Sequence, residues 1–557
     1  MRTSKYLKMS LLLVLAGIAG CTKLNEHYTS TVPGDEAATA LGANGVQLLL
    51  AAAYNDIIGG SAFVDQAGIF SLQENSTDES LVVTRGGDWD DNGVWRVVHN
   101  HTWNADHSQV LSVFNALNKI SFDATNVLNF KPTKAQAAEA RFLRAYALYL
   151  LLDLYNQYPF RNPGDTLLNA PKVFTGAPAI QFIIDELTTV LPDFNPSNSN
   201  QVASADACKM LLMKCYLNRG VYTDLASRAN PTFADADMQQ VITLGQSLIT
   251  SGKYTYMPNY FQNFNFSNKS STEIVWMYPC AGSGSSVNNP GMHSHYERGF
   301  HYNEYTPRAP GAGWNGFTTM SDFYNAFSLN GTFDYSLNDT IQDSRIGRRV
   351  LSDTSCTLNS GIRPGILIGL QSDQHGVGLK DRKGAPLNFT PVIDPTMIEQ
   401  GSNLEVTGFR VAKYVPDFSD PGGSWFNDRP GNSLMLFRYA DAVLMVAEAK
   451  MRAASPDVPG ALTLVNDLRS HRQAGPMATI TLSNPTNVED PNTLLAERGR
   501  ELYWEQVRRT DLIRFKAFQL PWQYKPAAGD ANTYLVYPVP NQSLAVNPNL
   551  KQNPGYN

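Results

Sequence analysis

The sequence is short of the features that announce chemistry. Its 557 residues are only 17% charged, with a net charge of −6 and no long basic run, so the electrostatic footprint of a nucleic-acid binder is missing. No G-x-S-x-G elbow and no G-x-x-x-x-G-K-[ST] loop occurs, which removes the commonest signatures of a hydrolase nucleophile and of a nucleotide site. Apolar runs are short as well. The most apolar internal stretch, FLRAYALYLLLDLY, is interrupted by Arg144 and Asp153, so no internal segment reads as a membrane span. Cysteine is scarce, with five in all. Cys208 and Cys215 lie about 10 Å apart along a predicted helix, too far for a disulfide, and read as small core residues. Cys280 and Cys356 are left as a pair that an oxidising compartment would permit and that spacing does not decide.

What is present starts at the N-terminus. MRTSKYLKMSLLLVLAGIAGC has a basic segment (Arg2, Lys5, Lys8), an apolar segment from Met9 to Gly20, and small residues just before Cys21. The apolar part is too short to span a bilayer and reads as an export signal. Ile18-Ala19-Gly20-Cys21 has the form of a lipobox, in which cleavage precedes the cysteine and its thiol is acylated. The expectation is a signal peptide over 1–20 and a chain anchored through Cys21, its acyl chains burying methylenes at about 0.8 kcal/mol each. The tether that follows, TKLNEHYTSTVP, carries a single acidic residue, Glu26.

The remaining chain reads as mostly α. Helical periodicity appears in GANGVQLLLAAAYNDIIGG (ending at Gly59-Gly60), DHSQVLSVFNALNKI, TKAQAAEARFLRAYALYLLLDLYNQYP (with Thr133 as N-cap), AIQFIIDELTTVLP and SADACKMLLMKCYLNRG. Near the C-terminus three antiparallel helices are expected between Leu436 and Phe515. The first has a stripe of Leu436, Ala440, Val443, Ala447 and Met451, with Arg438, Asp441, Glu448 and Lys450 off it. The third runs unbroken through LLAERGRELYWEQVRRTDLIRF. Helix pairs of this size resemble tetratricopeptide repeats, although the strict consensus is absent.

Four C-terminal blocks in order, RYADAVLMVAEA, VNDLRSHRQAG, LLAERGRELYWEQVRRTDLIRF and YPVPNQSLAVNPNLKQNPGYN, resemble the signature of the SusD/RagB family. EARFLRAYALYLLLDLYNQYPF resembles the family's N-terminal motif, so the likeness covers both ends of the chain. The resemblance implies a tetratricopeptide-like helical scaffold with a large loop-rich insertion holding a few short strands. It implies a lipid-anchored outer-membrane protein facing the cell surface, without cofactor, that binds a nutrient and passes it to a SusC-like TonB-dependent transporter. Organisation follows as a helical region over 21–253, a loop-rich ligand-binding region over 254–432 and a signature region over 433–557.

Function would sit where helical stripes fade. From about Tyr254 to Asn432, Gly, Pro, Asn, Ser and aromatics dominate, and short runs such as EIVWMY and GFRVAKYV read as bracing strands. Tyr302, Tyr305 and Trp314 lie there among polar residues, and Trp89 and Trp95 sit upstream beside Arg85 and Asp88. Aromatic faces in wet loops suit sugars, whose C–H faces stack on rings while hydroxyls seek polar partners. In glycan-binding members of the family these two zones build an aromatic arc. Candidate ligand contacts are therefore Arg85, Asp88, Trp89, Trp95, Tyr302, Tyr305 and Trp314, with Trp103 read instead as a scaffold anchor. The leading ligand class is an oligosaccharide, with peptides, the ligands of the RagB branch, as the alternative.

Two further constellations weigh less. Glu497, Glu501 and Glu505, four apart on one helix face, offer carboxylates for glycoside hydrolysis. The interleaved Arg498, Arg500, Arg508 and Arg509 favour structural ion pairs instead, and a secreted hydrolase is the lesser alternative to a protein that is not an enzyme. His99, His101 and His107 share an H-x-H-x5-H spacing with His293, His295 and His301. Neither set lies near a cysteine pair or an H-E-x-x-H helix, so no metal is expected.

Overall fold

The structure is a computed structural model that describes residues 34–59, 62–280, 292–304, 313–329, 343–347, 364–372, 377–414, 431–525 and 532–556. The export signal with Cys21, Tyr305 and Cys356 fall outside these residues.

The scaffold is helical. α1 (Gly34–Asn55) is kinked at Gly42, and stops short of the Gly59-Gly60 pair. α2 (Ser108–Leu128) buries Val110, Val113, Phe114 and Leu117 against α3 (Lys134–Tyr155). Thr133 opens α3 with a capping box: its hydroxyl accepts from the Gln136 amide while the Gln136 side chain reaches back to the Thr133 N–H. Asn156 closes α3 in the left-handed region and turns the chain into a hairpin, Gln157–Phe160 against Lys172–Thr175. α4 (Gly176–Val190) and α5 (Ala205–Asn218, capped by Ser204) form the next pair, and Cys208 and Cys215 are buried free thiols within it.

A helix absent from the sequence expectation, α6 (Asp235–Ile249), joins the two ends of the chain. It packs both on α5 and on α7 (Tyr439–Arg452), so the scaffold continues across residues 250–438. The α6–α7 approach requires Gly245, where a Cβ would meet Val446 Cγ2 at 2.2 Å. α8 (Val458–His471) then packs on α7, with Asp457 as its N-cap. The intervening residues leave and return on one ladder, Ile274–Tyr278 antiparallel to Leu434–Arg438. Strands are short throughout, paired two by two among the described residues. This is a tetratricopeptide-like helical scaffold with a loop-rich insertion and a few short strands.

Two C-terminal expectations are corrected. Leu436 belongs to a strand and α7 begins only at Tyr439, because β-pairing with Ile274–Tyr278 claims the preceding residues. The expected third helix is broken into α9 (Leu494–Leu502) and α10 (Arg508–Arg514), with Trp504 (φ 58°) and Gln506 (φ 64°) in the left-handed region between them. The break is held by a distant partner. Trp504 donates its N–H to Glu79 Oε2 (3.2 Å) and its indole N–H to Glu79 O (3.1 Å), while the Val507 N–H donates to Glu74 Oε1 (3.1 Å).

Glu74 and Glu79 belong to SLQENSTDES, residues 71–80, which is buried from end to end despite its polar composition. It begins as a five-residue π-helical turn, Ser71–Asn75. Its polar groups are met partly within the run, as where Ser80 Oγ donates to Asn75 Oδ1 (2.7 Å), and partly from elsewhere: Gln73 donates to Asp153 (2.9 Å), Asp78 accepts from Arg508 Nε (2.8 Å), and Leu72 O accepts from Tyr537 Oη (2.8 Å). The cost of burying so many polar atoms is offset only because they are hydrogen-bonded.

Charges nominally off the α7 stripe are buried too. Asp441 pairs with Lys214 (2.5 Å) and Arg498 (3.1 Å), and Glu448 with Arg514 (2.8 Å) and Arg452 (2.7 Å). The three glutamates of α9 and its exit are structural. Glu497 is bound by Arg345, Arg469 and Arg500, Glu501 by Arg345, Arg438 and Arg472, and Glu505 by Arg438 and Lys413. Of the four arginines expected to neutralise them only Arg500 does so. Arg498 turns to Asp441 and Asp511, Arg508 to Asp78 and Glu79, and Arg509 to Asp153. Burial alone would raise the Glu501 carboxyl, but the guanidiniums of Arg472, Arg438 and Arg345 outweigh it and hold the group well below the ordinary range.

Candidate ligand-binding site

Two ladders bring the two aromatic zones together. Leu81–Val82 runs antiparallel to Phe317–Thr318, and Thr84–Trp89 pairs in parallel with Ile398–Glu399. At the end of the second ladder the chain turns sharply, and Trp89 itself takes φ 63°, an unusual value for a bulky residue. The turn lays the Trp89 indole across Gly316, whose hydrogen is essential there: a Cβ would lie 2.3 Å from Trp89 Cε2. The Trp89 indole N–H donates to Trp314 O (2.9 Å), and the two rings sit 6.3 Å apart at 39°. Phe317 and Trp95, both buried, support Trp89 edge-on at 5.4 and 5.5 Å. Trp89 and Trp314 remain half-buried, so the pair forms a surface step with an indole on each level.

Beside this step stands a polar group. The Tyr302 hydroxyl donates to Asp88 Oδ2 (2.6 Å), and the Asp88 side chain is 53% exposed. Arg382 lies over the Tyr302 ring, its Cζ 3.9 Å from the centroid. Its Nε donates to Glu405 Oε1 (2.6 Å) and its backbone N–H to Glu405 Oε2 (3.1 Å). Glu405 also takes a hydrogen bond from His301 Nε2 (3.0 Å), while His301 Nδ1 accepts from the Asn303 amide. That pattern fixes the neutral tautomer with its proton on Nε2, and burial pulls the His301 imidazole down to about 4. For Glu405, burial is outweighed by the bonds from Arg382 and His301, and the carboxyl is held below its usual range.

The structure thus gathers Asp88, Trp89, Tyr302 and Trp314 on one surface. Arg85 and Trp95 sit differently from the ligand contacts expected of them. Arg85 is 1% exposed, and its guanidinium donates to Asn315 O (2.8 Å), Thr407 O (2.8 Å), Thr407 Oγ1 (2.7 Å) and Leu404 O. An arginine next to two glycines looks solvent-facing in sequence, but here it satisfies the carbonyls of a neighbouring loop. Trp95 is buried beneath Trp89 and donates to Asp91 Oδ2 (2.7 Å). Trp103 is buried, its indole N–H on the Tyr556 hydroxyl (2.6 Å). His99, His101 and His107 each turn a ring nitrogen to a backbone carbonyl, of Asn75, Ser76 and Val94. Arg382, Glu405 and Gly316 were not anticipated. The one signal for Arg382 is Asp381-Arg-Lys-Gly384, a turn that presents its second residue at the tip.

A family model described as the SusD family matches residues 272–556, just over half of the chain. The chain belongs to the SusD family. Among curated proteins, the starch-binding protein SusD of Bacteroides thetaiotaomicron is 27% identical over 456 residues, which cover 78% of this chain and 75% of that protein. Among solved structures, a surface glycan-binding protein A from Bacteroides uniformis superposes with a TM-score of 0.64 at 15% identity, covering 92% of this chain and 99% of that one. A laminarin-binding SusD-like protein superposes with a TM-score of 0.62 at 18% identity, with the same coverage. At these identities the structural likenesses establish the fold. Among the described residues, no helix of this SusD-family chain is long and apolar enough to cross a membrane.

Proposed function

We propose that this chain is a glycan-binding nutrient receptor, not an enzyme, held on the outer membrane by acyl chains on Cys21 and facing the cell surface. It captures an oligosaccharide and releases it to a TonB-dependent transporter. The observation that carries the reading is the Trp89–Trp314 step with Asp88 and Tyr302 at its edge: two half-exposed indoles for C–H faces and polar atoms for hydroxyls. Family membership supports it, since the starch-binding and laminarin-binding relatives carry carbohydrate in their names. In this reading the helices of 21–253 and 433–557 form the frame. The 254–432 stretch, joined by the Trp89 loop, holds the ligand.

The test is affinity electrophoresis and calorimetry on the chain lacking residues 1–21, with a panel of plant and algal oligosaccharides. Binding by the unaltered protein that falls about tenfold or more in Trp314→Ala, with its circular dichroism unchanged, is the expected result; a hot-spot aromatic costs more than ~1 kcal/mol. Binding to peptides with none to any glycan would replace the reading with the peptide alternative. Turnover of a labelled glycan would replace it with the hydrolase.

A further inference from the structure

The polar edge of the site contains a gap of defined width. Arg382 Nη2 and Asp88 Oδ2 stand 4.0 Å apart, both on half-exposed side chains. That is beyond hydrogen-bond length. It is also the span that one oxygen atom bridges, as a water commonly does between two polar groups.

The neighbours hold the two sides of the gap in place. Glu405 grips Arg382 through Nε and the backbone amide, and the Tyr302 ring supports the guanidinium face at 3.9 Å. Neither Nη of Arg382 has a hydrogen bond among the described residues, so both remain available on the open side. Asp88 is steadied by the Tyr302 hydroxyl on Oδ2, which leaves that oxygen a further lone pair, and Oδ1 has no hydrogen bond among the described residues.

We infer that the Arg382–Asp88 gap is a hydroxyl slot: one ligand oxygen accepts from Arg382 Nη2 and donates to Asp88 Oδ2, so the slot takes a glycan hydroxyl in preference to a carboxylate or sulfate at that position. This rests on the glycan-binding reading above. The chemistry of the gap sets the class. A hydroxyl both accepts and donates, so it satisfies both walls at once. A carboxylate or sulfate oxygen only accepts; it would satisfy Arg382 while placing its charge against Asp88. A peptide carbonyl only accepts and a peptide N–H only donates, so no group of a peptide backbone completes the bridge. The slot and the tryptophan step are linked through Glu405, which holds Arg382 and whose carbonyl accepts from Nδ2 of Asn315, the residue after Trp314 (3.0 Å).

The experiment is titration calorimetry of the chain lacking residues 1–21 with maltoheptaose, laminarihexaose and a hexamer of galacturonic acid. It uses the unaltered protein, Arg382→Gln, Asp88→Asn, the double variant and Trp314→Ala. The expected result is binding of a neutral glucan, weakened about tenfold or more by each polar variant, since hydrogen bonds to charged groups are worth that much. The double variant should lose little beyond the worse single one, because both walls grip the same oxygen. Asp88 is exposed, so its variant tests the slot even if Arg382→Gln loosens the hairpin that carries it. Losses that multiply in the double variant overturn the shared oxygen. Affinity within twofold of the unaltered protein in both polar variants, with binding lost in Trp314→Ala, overturns the slot and leaves the glycan reading standing. Binding of the galacturonic acid hexamer that Arg382→Gln weakens and Asp88→Asn strengthens would place a carboxylate between the two walls and overturns the preference for a hydroxyl. Binding of none of the three probes, with peptides bound instead, removes the slot and the reading together.

Discussion

Replacing Glu501 with Gln tests whether the C-terminal carboxylates are structural. The Glu501 side chain is fully buried and meets three guanidiniums: Arg438 at 2.6 Å, Arg472 at 2.8 Å and Arg345 at 3.1 Å. Glutamine keeps the volume and one acceptor but leaves three buried cations short of an anion. Breaking a buried pair by removing one partner costs about 3–5 kcal/mol, mostly from the charge left uncompensated. With an unfolding entropy of ~2.1 cal/mol/K per residue, 557 residues give about 1.2 kcal/mol/K, so the melting temperature should fall by roughly 3–4 °C if the chain unfolds as one unit. Differential scanning calorimetry measures this directly, and glycan affinity measured below the transition should be unchanged. A shift under about 1 °C would refute the reasoning. Undiminished stability together with loss of a hydrolytic activity would revive the catalytic reading of these glutamates.

Acid should destabilise the protein through α7. Burial would raise the Glu448 carboxyl, but Arg514 and Arg452 hold it down to about 2. Its folded pKa lies below the unfolded value, so its contribution is complete above about pH 4.5 and is lost as pH falls towards 2. Urea titrations at pH 6, 4 and 3 should show a smaller stability loss over this window in Glu448→Gln than in the unaltered chain, and equal slopes would contradict this. Gly316→Ala should displace the Trp89 indole, since the added methyl would lie 2.3 Å from the ring. The expected signs are a changed tryptophan fluorescence spectrum, reduced glycan affinity and about 1–3 kcal/mol of destabilisation from overpacking. An unaltered spectrum and affinity would show that the ring is not seated there.

The helices were legible where the apolar period ran with a clear start signal, as at Thr133 before α3. They were not legible where the decisive partner was far away in sequence. Leu495, Leu502, Tyr503 and Val507 fall on one side of the expected third helix, and no glycine or proline marks the break at Trp504–Gln506. Only the carboxylates and carbonyl of Glu74 and Glu79, more than 400 residues earlier, break the helix there. The polar run 71–80 has the composition of a surface loop, and nothing local tells that arginines and amides from elsewhere will close over it. Of the aromatic residues expected at the site, Trp89, Tyr302 and Trp314 are partly exposed, as rings among glycine and amide residues suggest, whereas Trp95, in the same kind of sequence, is buried beneath Trp89. Arg85 and Arg382 carry the same side chain in similar surroundings, and only tertiary contacts turn one inward onto carbonyls and leave the other at the surface.

The seam between residues 71–80 and 504–508 also dictates an order of events during synthesis. A ribosome finishes the first half of that seam long before it makes the second, and until then Glu74, Asp78 and Glu79 lack the N–H groups and the arginine that make their burial tolerable. The early helices can form, but they cannot close over a run of solvated carboxylates. A chain that lacks residues 504–508 is therefore expected to keep the run 71–80 hydrated, because burying those carboxylates without partners is costly. A fragment ending before Trp504 should remain unable to seal its core, however well its own helices pair. The last fifth of this protein works as the latch that lets the first fifth leave water.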